Sequence, residues 1–257
     1  MQMPGTIPHS GLELEFAQFS DKGRVRAHNE DYAGFVQPST PAQARSHGWL
    51  FALADGVGGQ DLGEVASRTA VESLLANFSR SAGGESHASL LRRLIQAANQ
   101  DVYERGRAAS PGGTAMATTV VACTLRHDRV VVAHVGDSRC YLVRNGRASA
   151  LTRDHTVSGE RLSRSLGNNL FVSVDIADHA LLPGDVLLLC SDGLHNSVRQ
   201  PDLARYLGPT EDLETAARQL IALANQRDGR DNITAQAIRV ASVERTGMYR
   251  GRPYRLR

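Results

Sequence analysis

Apolar runs of strand length recur along the 257-residue chain, either continuous or alternating with polar positions. They predict β-strands at 12–20, 48–55, 118–126, 129–137, 140–151, 170–180, 185–192 and 232–240. Two short connections between such runs, residues 126–129 and the pair Asn145 and Gly146, are typical of tight hairpin turns. The pattern therefore favours antiparallel pairing of neighbouring strands.

Three other segments, 62–78, 91–102 and 213–224, repeat apolar residues every three or four positions, as an amphipathic helix does. The polar segment 79–87 predicts the loop between the first two helices. Blocks of hairpins combined with paired helices favour an α+β layered sandwich over an alternating parallel βαβ fold. The length and the 41% hydrophobic content suffice for one sizeable core, so we expect a single domain.

The composition argues against several classes of partner. The net charge is only +2 and 22% of the residues are charged, so no overall field favours nucleic acid or an anionic membrane. Cys123, Cys140 and Cys190 are odd in number and lack Cys-x-x-Cys spacing, which predicts buried reduced thiols. The N-terminal sequence does not resemble a signal peptide, and no apolar run reaches the roughly 18 residues of a membrane span. We therefore expect a cytoplasmic protein.

Several predicted strands end or begin at an aspartate. One long apolar run stops at Asp55 and Gly56, although an Asp-Gly step alone would equally mark an ordinary turn. The arrangement recurs at Asp137 and Asp192 after two other strands, and at Asp231 just before a third. Carboxylates gathered at one rim of a sandwich repel one another unless cations lie among them, and Mg²⁺ and Mn²⁺ prefer oxygen ligands. The pattern thus indicates a divalent metal site.

A further acidic pair, Glu30 and Asp31, closely follows Arg26. A guanidinium matches the oxygens of a phosphate and, beside clustered metals, would hold a dianionic group in line for attack. Two metals roughly 3.5–4 Å apart share a hydroxide and stabilise both the attacking and the leaving oxygen at phosphorus. The chemistry inferred from these residues is the hydrolysis of phosphomonoesters.

Seven motifs follow one another along the chain: RVRAHNED, LFALADGVGG, GGTAMATTVVA, VVVAHVGDSRCYLVRNG, LTRDHT, LLLCSDGL and DNIT. In this order and at these distances they resemble the metal-dependent serine/threonine phosphatases of the type 2C or PPM family, particularly its bacterial branch. Each motif is weak on its own, whereas seven in order are hard to obtain by chance. The resemblance predicts a phosphatase domain over 12–241, a flexible N-terminus at 1–11 and a basic tail without stable structure at 242–257.

The resemblance implies an α-β-β-α sandwich, in which two central antiparallel sheets are flanked by helix pairs and the metal site lies at one end. It implies that Asp55 bridges two metals and that the carbonyl of Gly56 ligates one of them. Asp192 and Asp231 would ligate the second metal, and Arg26 would clamp the substrate phosphate.

The resemblance gives three further acidic residues weaker roles. Asp31, together with Glu30, is expected to act mainly through metal-bound water. Asp137 is expected to hold a third, weaker metal together with Asp192. The implied cofactors are two divalent cations, Mn²⁺ or Mg²⁺, and a third cation of lower affinity.

Two positions depart from the family pattern. Many eukaryotic members carry a histidine directly after the Asp-Gly step as the proposed proton donor to the leaving alkoxide, whereas this chain has Val57. We therefore expect metal-bound water to donate that proton. The segment 156–169 is shorter than the flap of bacterial members, which leaves flap-based substrate selection and a flap contribution to the third metal without support.

Other polar residues have simpler interpretations. His155 is expected to order a turn, His134 to be a satisfied core residue, and His195 follows the Ser-Asp-Gly loop, where it could border the substrate. Thr118 and Thr119 are expected to form strand and not to act as nucleophiles.

Two rival motifs fit less well. Cys123 and Arg129 have the Cys-x5-Arg spacing of thiol phosphatases, but neither a Gly-rich anion loop nor a helix follows. Gly56 and Gly58 hint at a dinucleotide loop, but the third glycine would fall at Asp61 and the flanking pattern is antiparallel.

We therefore expect a monomeric, cytoplasmic protein phosphatase that hydrolyses phosphoserine and phosphothreonine by direct attack of a metal-bridged hydroxide. Its partners would be phosphorylated proteins and the bacterial Ser/Thr kinase whose action it reverses, with no nucleic-acid or membrane partner. Two alternatives stay open. One is a catalytically silent module that binds phosphoproteins, against which the intact set of aspartates argues. The other is a partner-switching phosphatase acting on an anti-sigma antagonist, for which the sequence shows no sensor domain.

Overall fold

A computed structural model describes residues 11–57, 62–109, 116–157, 161–208 and 212–243, and the backbone of 246–249 and 252–255. Its strands are β1 (Glu13–Asp21), β2 (Asp31–Val36), β3 (Trp49–Val57), β4 (Ala117–Thr118), β5 (Val120–Arg126), β6 (Arg129–Val135), β7 (Arg139–Arg144), β8 (Arg147–Ala150), β9 (Thr156–Val157), β10 (Arg161–Leu162), β11 (Asp175–Ala180), β12 (Val186–Cys190), β13 (Ile233–Ser242), β14 (Thr246–Tyr249) and β15 (Arg252–Arg255). Its helices are α1 (Pro41–Ser46), α2 (Leu62–Arg80), α3 (His87–Ala109), α4 (Asp192–His195), α5 (Gln200–Tyr206) and α6 (Leu213–Arg227).

Two antiparallel sheets form the centre of the fold. The first sheet has the order β1-β13-β12-β7-β8, and the second has the order β11-β6-β5-β3-β2, with β4 paired to the end of β3. The predicted hairpin turns are confirmed, because His127, Asn145 and Gly146 have φ angles of 56°, 51° and 71°. Chain order and pairing therefore follow from short turns, as the sequence indicates.

Three apolar layers separate the elements. One lies between the two sheets, one between the second sheet and helices α2 and α3, and one between the first sheet and helices α5 and α6. Neighbouring residues of β3 point to opposite sides: Phe51 and Leu53 enter the layer between the sheets, whereas Leu50 and Ala52 face the helices. The order helix, sheet, sheet, helix confirms the predicted four-layer α+β sandwich.

The structure differs from the predicted elements in several places. Strand β2 was not predicted, because only its last residues form an apolar run, and α1, α4 and α5 are too short to show helical periodicity. The backbone of β14 pairs antiparallel with β15 within the tail that was predicted to lack stable structure. Each of these strands contains a tyrosine, a good strand former. The domain boundaries themselves stay a prediction, and residues 1–10 lie outside the described part of the chain.

The three cysteines are buried free thiols, as predicted. Cys123 lies in β5 and Arg129 at the start of β6, so the two residues of the rival thiol-phosphatase motif belong to a hairpin. Within the described residues, no helix is long and apolar enough to cross a membrane.

Candidate active site

Five aspartates lie at one end of the two sheets. Asp31 and Asp55 are directly opposite each other in the antiparallel pair β2–β3 of the second sheet. In the first sheet, Asp192 follows the end of β12 and Asp231 precedes the start of β13. Asp137 lies on the connection between β6 and β7, where the chain crosses from one sheet to the other. Both sheets therefore supply carboxylates to the same rim.

Four of these five aspartates border a cavity of about 460 Å³. Its lining consists of Arg26, Glu30, Asp55, Gly56, Val57, Thr119, Asp137, Arg161, Leu162, Ser165, Asn168, Asp192 and Asp231. Seven of the eight residues predicted for the site are in this lining, and the eighth, Asp31, lies behind it opposite Asp55. A larger surface cavity of about 540 Å³ beside α5 and α6 has no acidic residue in its lining. Of these two cavities, only the one at the rim of the sheets is lined by carboxylates.

Burial and mutual repulsion make the carboxylates difficult to ionise together. Burial raises the pKa of Asp55 well above its usual value, and the charges of Asp31 and Asp192 raise it further. Burial likewise raises the pKa of Asp31 to about 6 and that of Asp192 to about 7, and repulsion from Asp231 acts in the same direction on both. Burial also raises the pKa of Asp137. Divalent cations among these groups would remove the repulsion and offset the cost of burying charge.

Asp31 provides a direct test of whether the site fits a cation. The hydroxyls of Ser191 and Thr234 donate hydrogen bonds of 2.7 Å and 2.6 Å to its Oδ2 atom. Its Oδ1 atom is buried and has no hydrogen-bond partner among the described residues. A buried oxygen acceptor left without a donor is costly, whereas oxygen is the preferred ligand of Mg²⁺ and Mn²⁺. The residues present therefore fit a hard divalent cation.

Main-chain and threonine contacts hold Asp55. The Asp55 N–H donates to Thr119 Oγ1 at 3.0 Å, and the Asp55 carbonyl accepts from the Thr118 hydroxyl at 2.8 Å and from the Thr119 N–H at 2.9 Å. Thr118 lies in strand β4, as predicted, whereas Thr119 lies between β4 and β5, and the side-chain hydroxyls of both residues also fix the aspartate.

Gly56 permits a close approach of three segments. A Cβ atom at Gly56 would lie 2.3 Å from the carbonyl oxygen of Gly63 in α2 and 2.9 Å from that of Glu30. The Gly56 N–H donates to the Glu30 carbonyl at 3.1 Å. The Glu30 carboxyl lies against Gly63, where an added Cβ would be 2.7 Å from it. Any side chain at position 56 would therefore push apart the segments that carry Asp55 and Glu30.

The Arg26 side chain lies at the cavity mouth and is 46% exposed. Its Nη2 atom donates a hydrogen bond of 2.7 Å to Asp231 Oδ2, and this bond raises the pKa of Arg26. The guanidinium therefore compensates one carboxylate while remaining accessible from solvent.

Asn232 joins the loop that carries Arg26 to the start of β13. Its Nδ2 atom donates to the carbonyls of Lys22 and His28 at 2.9 Å, and its Oδ1 atom accepts from the Glu30 N–H at 2.8 Å. The side chain is buried and satisfied by three partners from a single loop. Asn232 thereby sets where Arg26 and Glu30 stand relative to Asp231.

Sequence reasoning missed the polar residues that position the aspartates. Asn232 and Thr234 lie in the DNIT motif and Ser191 lies in the LLLCSDGL motif, but none of the three was assigned a role. Their shared function appears only when β12 and β13 pair, since the Ser191 N–H donates to the Thr234 carbonyl at 3.2 Å. Their place in the same motifs as Asp192 and Asp231 is the signal in the sequence that could have pointed to them.

The short flap segment also borders the site. Strands β9 and β10 are antiparallel and pair over two residues each. The segment from 161 to 168 contributes Arg161, Leu162, Ser165 and Asn168 to the lining. Leu166 and Thr118 exchange backbone hydrogen bonds of 2.8 Å and 3.2 Å, which hold the segment against the site. The shortness of the flap therefore does not remove it from the cavity.

Within the described ranges of the chain, no histidine lines the cavity. Val57 occupies the position where many relatives carry the proposed acid, and it is 38% exposed. His195 Nε2 lies 3.0 Å from the Asp137 carbonyl, so His195 contacts the backbone of the site and does not border the substrate cavity.

The layered fold and the carboxylate cavity define the class of metal-dependent phosphatases. The sequence matches the protein phosphatase 2C family over residues 24–227. The chain belongs to the protein phosphatase 2C family. The predicted family, fold class and enzyme class, a metal-dependent protein serine/threonine phosphatase, are therefore confirmed.

Individual relatives agree with this assignment. The serine/threonine phosphatase stp of Listeria innocua is 33% identical over 257 residues, which cover 91% of this chain and 96% of the relative. The structure of the S. agalactiae serine/threonine phosphatase has a TM-score of 0.79 at 30% identity and covers 89% of this chain and 100% of its own. The catalytic domain of the phosphatase PstP, in complex with two manganese ions, has a TM-score of 0.77 at 31% identity and covers 90% and 100%.

Proposed function

We propose that this cavity hydrolyses the phosphate esters of phosphoserine and phosphothreonine in proteins with the aid of two divalent cations. The observation that carries the proposal is the meeting of five aspartates from two sheets, of which Asp55 has a pKa raised by burial and by its neighbours. When bound, such cations lower the pKa of water and neutralise the charge that develops on a phosphoryl group. The manganese complex of the PstP catalytic domain supports this choice of cofactor.

Each acidic residue has a proposed part in holding the cations. Asp55 would be shared by the two cations, and the carbonyl of the neighbouring Gly56 would be a ligand of one of them. Asp192 and Asp231, both from the first sheet, would hold the second cation. Ser191 and Thr234 donate to Asp31 Oδ2, which leaves its buried Oδ1 as the atom that would hold metal-bound water.

Two further carboxylates would act at the edges of this pair. Glu30 lines the cavity beside Gly56 and would hold solvent together with Asp31. Asp137 lies in the lining with Asp192 and would bind a third, weaker cation. Mn²⁺ and Mg²⁺ both suit such an oxygen-only set.

Arg26 is proposed to bind the substrate phosphate. Its side chain is 46% exposed at the cavity mouth, and a guanidinium has five donors, of which the contact to Asp231 uses one. The remaining N–H groups can donate to phosphate oxygens in a bidentate manner without breaking that contact. Arg26 would thus orient the phosphoryl group relative to the carboxylates.

The leaving seryl or threonyl oxygen needs a proton. Val57 cannot supply one, and the titratable side chains in the lining are carboxyls and arginines. We propose that water held among the acidic residues of the cavity donates it.

The substrates would be phosphoproteins made by a Ser/Thr kinase whose action the phosphatase reverses. We propose that it acts as a monomer in the cytoplasm.

The test is phosphate release from a phosphothreonine peptide by the full chain in Mn²⁺, in EDTA, and with the variant Asp192→Asn in Mn²⁺. We expect release only by the wild type in Mn²⁺. Asp178→Asn is a matched control, because Asp178 is 51% exposed on β11 and is absent from the cavity lining. Equal release in EDTA, or full activity of Asp192→Asn, would refute the proposal. Peptide binding without release would favour the silent binding module.

A further inference from the structure

The segment 153–155, within the LTRDHT motif, packs along the turn that carries Asp137. His134 Nε2 donates to the Arg153 carbonyl at 2.8 Å. On the other side of the turn, Arg139 forms two hydrogen bonds of 2.8 Å and 2.6 Å with the carboxylate of Asp154. Between these contacts, His155 meets the residue directly before Asp137. The turn is therefore held at three successive points by one short segment.

His155 makes the central contacts of this arrangement. Its backbone N–H donates to the Gly136 carbonyl at 3.0 Å, and its ring Nδ1 accepts from the Gly136 N–H at 3.1 Å. Because Nδ1 accepts, the ring proton must be on Nε2. That atom lies 3.3 Å from Asp175 Oδ2, a long contact, while Arg164 donates to Asp175 Oδ1 at 2.6 Å. The two peptide groups on either side of the Gly136 Cα are thus held by His155, one by its side chain and the other by its main chain.

The same geometry argues against a metal ion here, although ligand atoms of His134, His155 and Asp175 lie within 4.8 Å of one another. A cation on His155 Nε2 would move the ring proton to Nδ1, where it would face the Gly136 N–H. The two imidazole rings instead stack at 4.5 Å with an interplanar angle of 20°. Burial lowers the pKa of both, so two neutral rings pack together. The cluster is a hydrogen-bonded support and not a second metal centre.

His155 also contacts the flap segment. Its carbonyl accepts from the Ser163 N–H at 2.8 Å, next to Leu162 of the cavity lining. The contact of Asp175 with Arg164 lies one residue further along the same segment. A single buried residue therefore links the Asp137 turn with the segment that closes one side of the cavity.

We propose that His155 is a positioning residue, which fixes the Val135–Gly136 peptide through Nδ1 and the Gly136–Asp137 peptide through its backbone N–H, and so holds the Asp137 carboxyl and the flap segment in a common geometry. The inference rests on the proposed function in one respect, because it takes Asp137 as the ligand of the third, weaker cation. His155 itself is absent from the cavity lining and acts through its neighbours.

The test compares two conservative substitutions in the full chain. The side-chain oxygen of asparagine can occupy the place of imidazole Nδ1, whereas the amide of glutamine reaches the place of Nε2. We expect His155→Gln to weaken the lowest-affinity Mn²⁺ binding step by about tenfold in titration calorimetry, and His155→Asn to stay within about threefold of the wild type. Asp175→Ala, which leaves the ring but removes its orienting partner, should shift the same step in the same direction by a smaller factor.

The activity readout should follow the binding data. The Mn²⁺ concentration for half-maximal phosphate release should rise in His155→Gln, while KM for the phosphopeptide at saturating Mn²⁺ stays within about twofold. His87→Gln is the matched control, since His87 is equally buried and lies in α3 away from the site.

The outcomes test the positioning role of His155 and the proposed phosphatase function separately. Equal effects of the asparagine and glutamine variants on Mn²⁺ binding, or an equal effect of His87→Gln, would overturn the positioning role. A wild type that binds Mn²⁺ but releases no phosphate would refute the proposed function, while the calorimetric comparison would still decide the role of His155.

Discussion

Replacing Asp192 by asparagine should make the metal-free protein more stable while abolishing its activity. In the folded protein the pKa of Asp192 is raised from 3.8 to about 7, first by burial and then by repulsion from Asp231 and Asp137. At pH 8 the carboxylate is ionised in both the folded and the unfolded state, so this difference is a cost of folding. Asparagine has a similar shape and no charge, and it removes that cost.

The magnitude follows from the difference in pKa. About three units at roughly 1.4 kcal/mol each give an upper bound of about 4 kcal/mol. Because Asp192 is partly accessible from the cavity, we expect a gain of about 2 to 3 kcal/mol after solvent screening. For a chain of this size, that gain corresponds to a rise in Tm of about 4 to 10 °C.

The assay is thermal or denaturant unfolding at pH 8 in EDTA, compared with the same measurement in excess Mn²⁺. In EDTA, Asp192→Asn should exceed the wild type, whereas Asp178→Asn, at an exposed ion pair, should change stability by less than about 1 kcal/mol. In Mn²⁺ the order should reverse, because ion binding to the folded state stabilises the wild type and is weakened in the variant. A variant less stable than the wild type in EDTA would refute the reasoning about repulsion.

Three further results are expected. In EDTA, the stability gained by Asp192→Asn over the wild type should grow as the pH rises from about 4 to about 7, because the pKa of Asp192 is raised from 3.8 to about 7 in the folded wild type and the variant lacks this group, whereas the buried histidines titrate in both proteins; a difference that does not change with pH, measured by denaturant titration, would contradict it. Arg26→Ala should raise KM for a phosphopeptide about tenfold, because a charge-assisted hydrogen bond to the phosphate is lost. Mn²⁺ binding should not weaken, since the substitution removes a positive charge beside Asp231. Loss of Mn²⁺ binding in calorimetry would show that the role given to Arg26 is wrong. Asn232→Ala should lower the free energy of unfolding by about 2 to 3 kcal/mol, because three hydrogen bonds of a buried side chain are lost, and an unchanged unfolding midpoint would count against its clamping role.

The parts of the fold that the sequence predicts are those with a regular apolar period. Helix α6 shows a helical period and strand β12 is one continuous apolar run, so their type and position follow from local patterning. Strand β2 begins with the site residue Asp31 and alternates poorly, because its residues are only partly buried at a sheet edge. Short helices such as α4 are made by the turn after Asp192 and have too few residues to show a period.

The candidate site divides in the same way. Asp55 and Asp192 are recognisable in the sequence because each interrupts an apolar run at its end. Ser191, Thr234 and Asn232 are not, because their roles depend on hydrogen bonds to residues distant in the chain, such as the bond from Thr234 to Asp31. A local pattern cannot contain such information, since it arises only when β12 and β13 align.

The two sheets contribute separate halves of the carboxylate cluster, and an apolar layer that includes Phe51 and Leu187 sets the distance between them. A cation shared by Asp55 and Asp231 would cross-link the two sheets at the rim where the apolar layer ends and the carboxylates begin. A change in the packing of this layer would then change the distance between the carboxylates of the two sheets without replacing any of them. Substitutions in this interior layer should consequently change the affinity for the cations. Backbone amides of both sheets near the rim should exchange more slowly with solvent deuterium when Mn²⁺ is added.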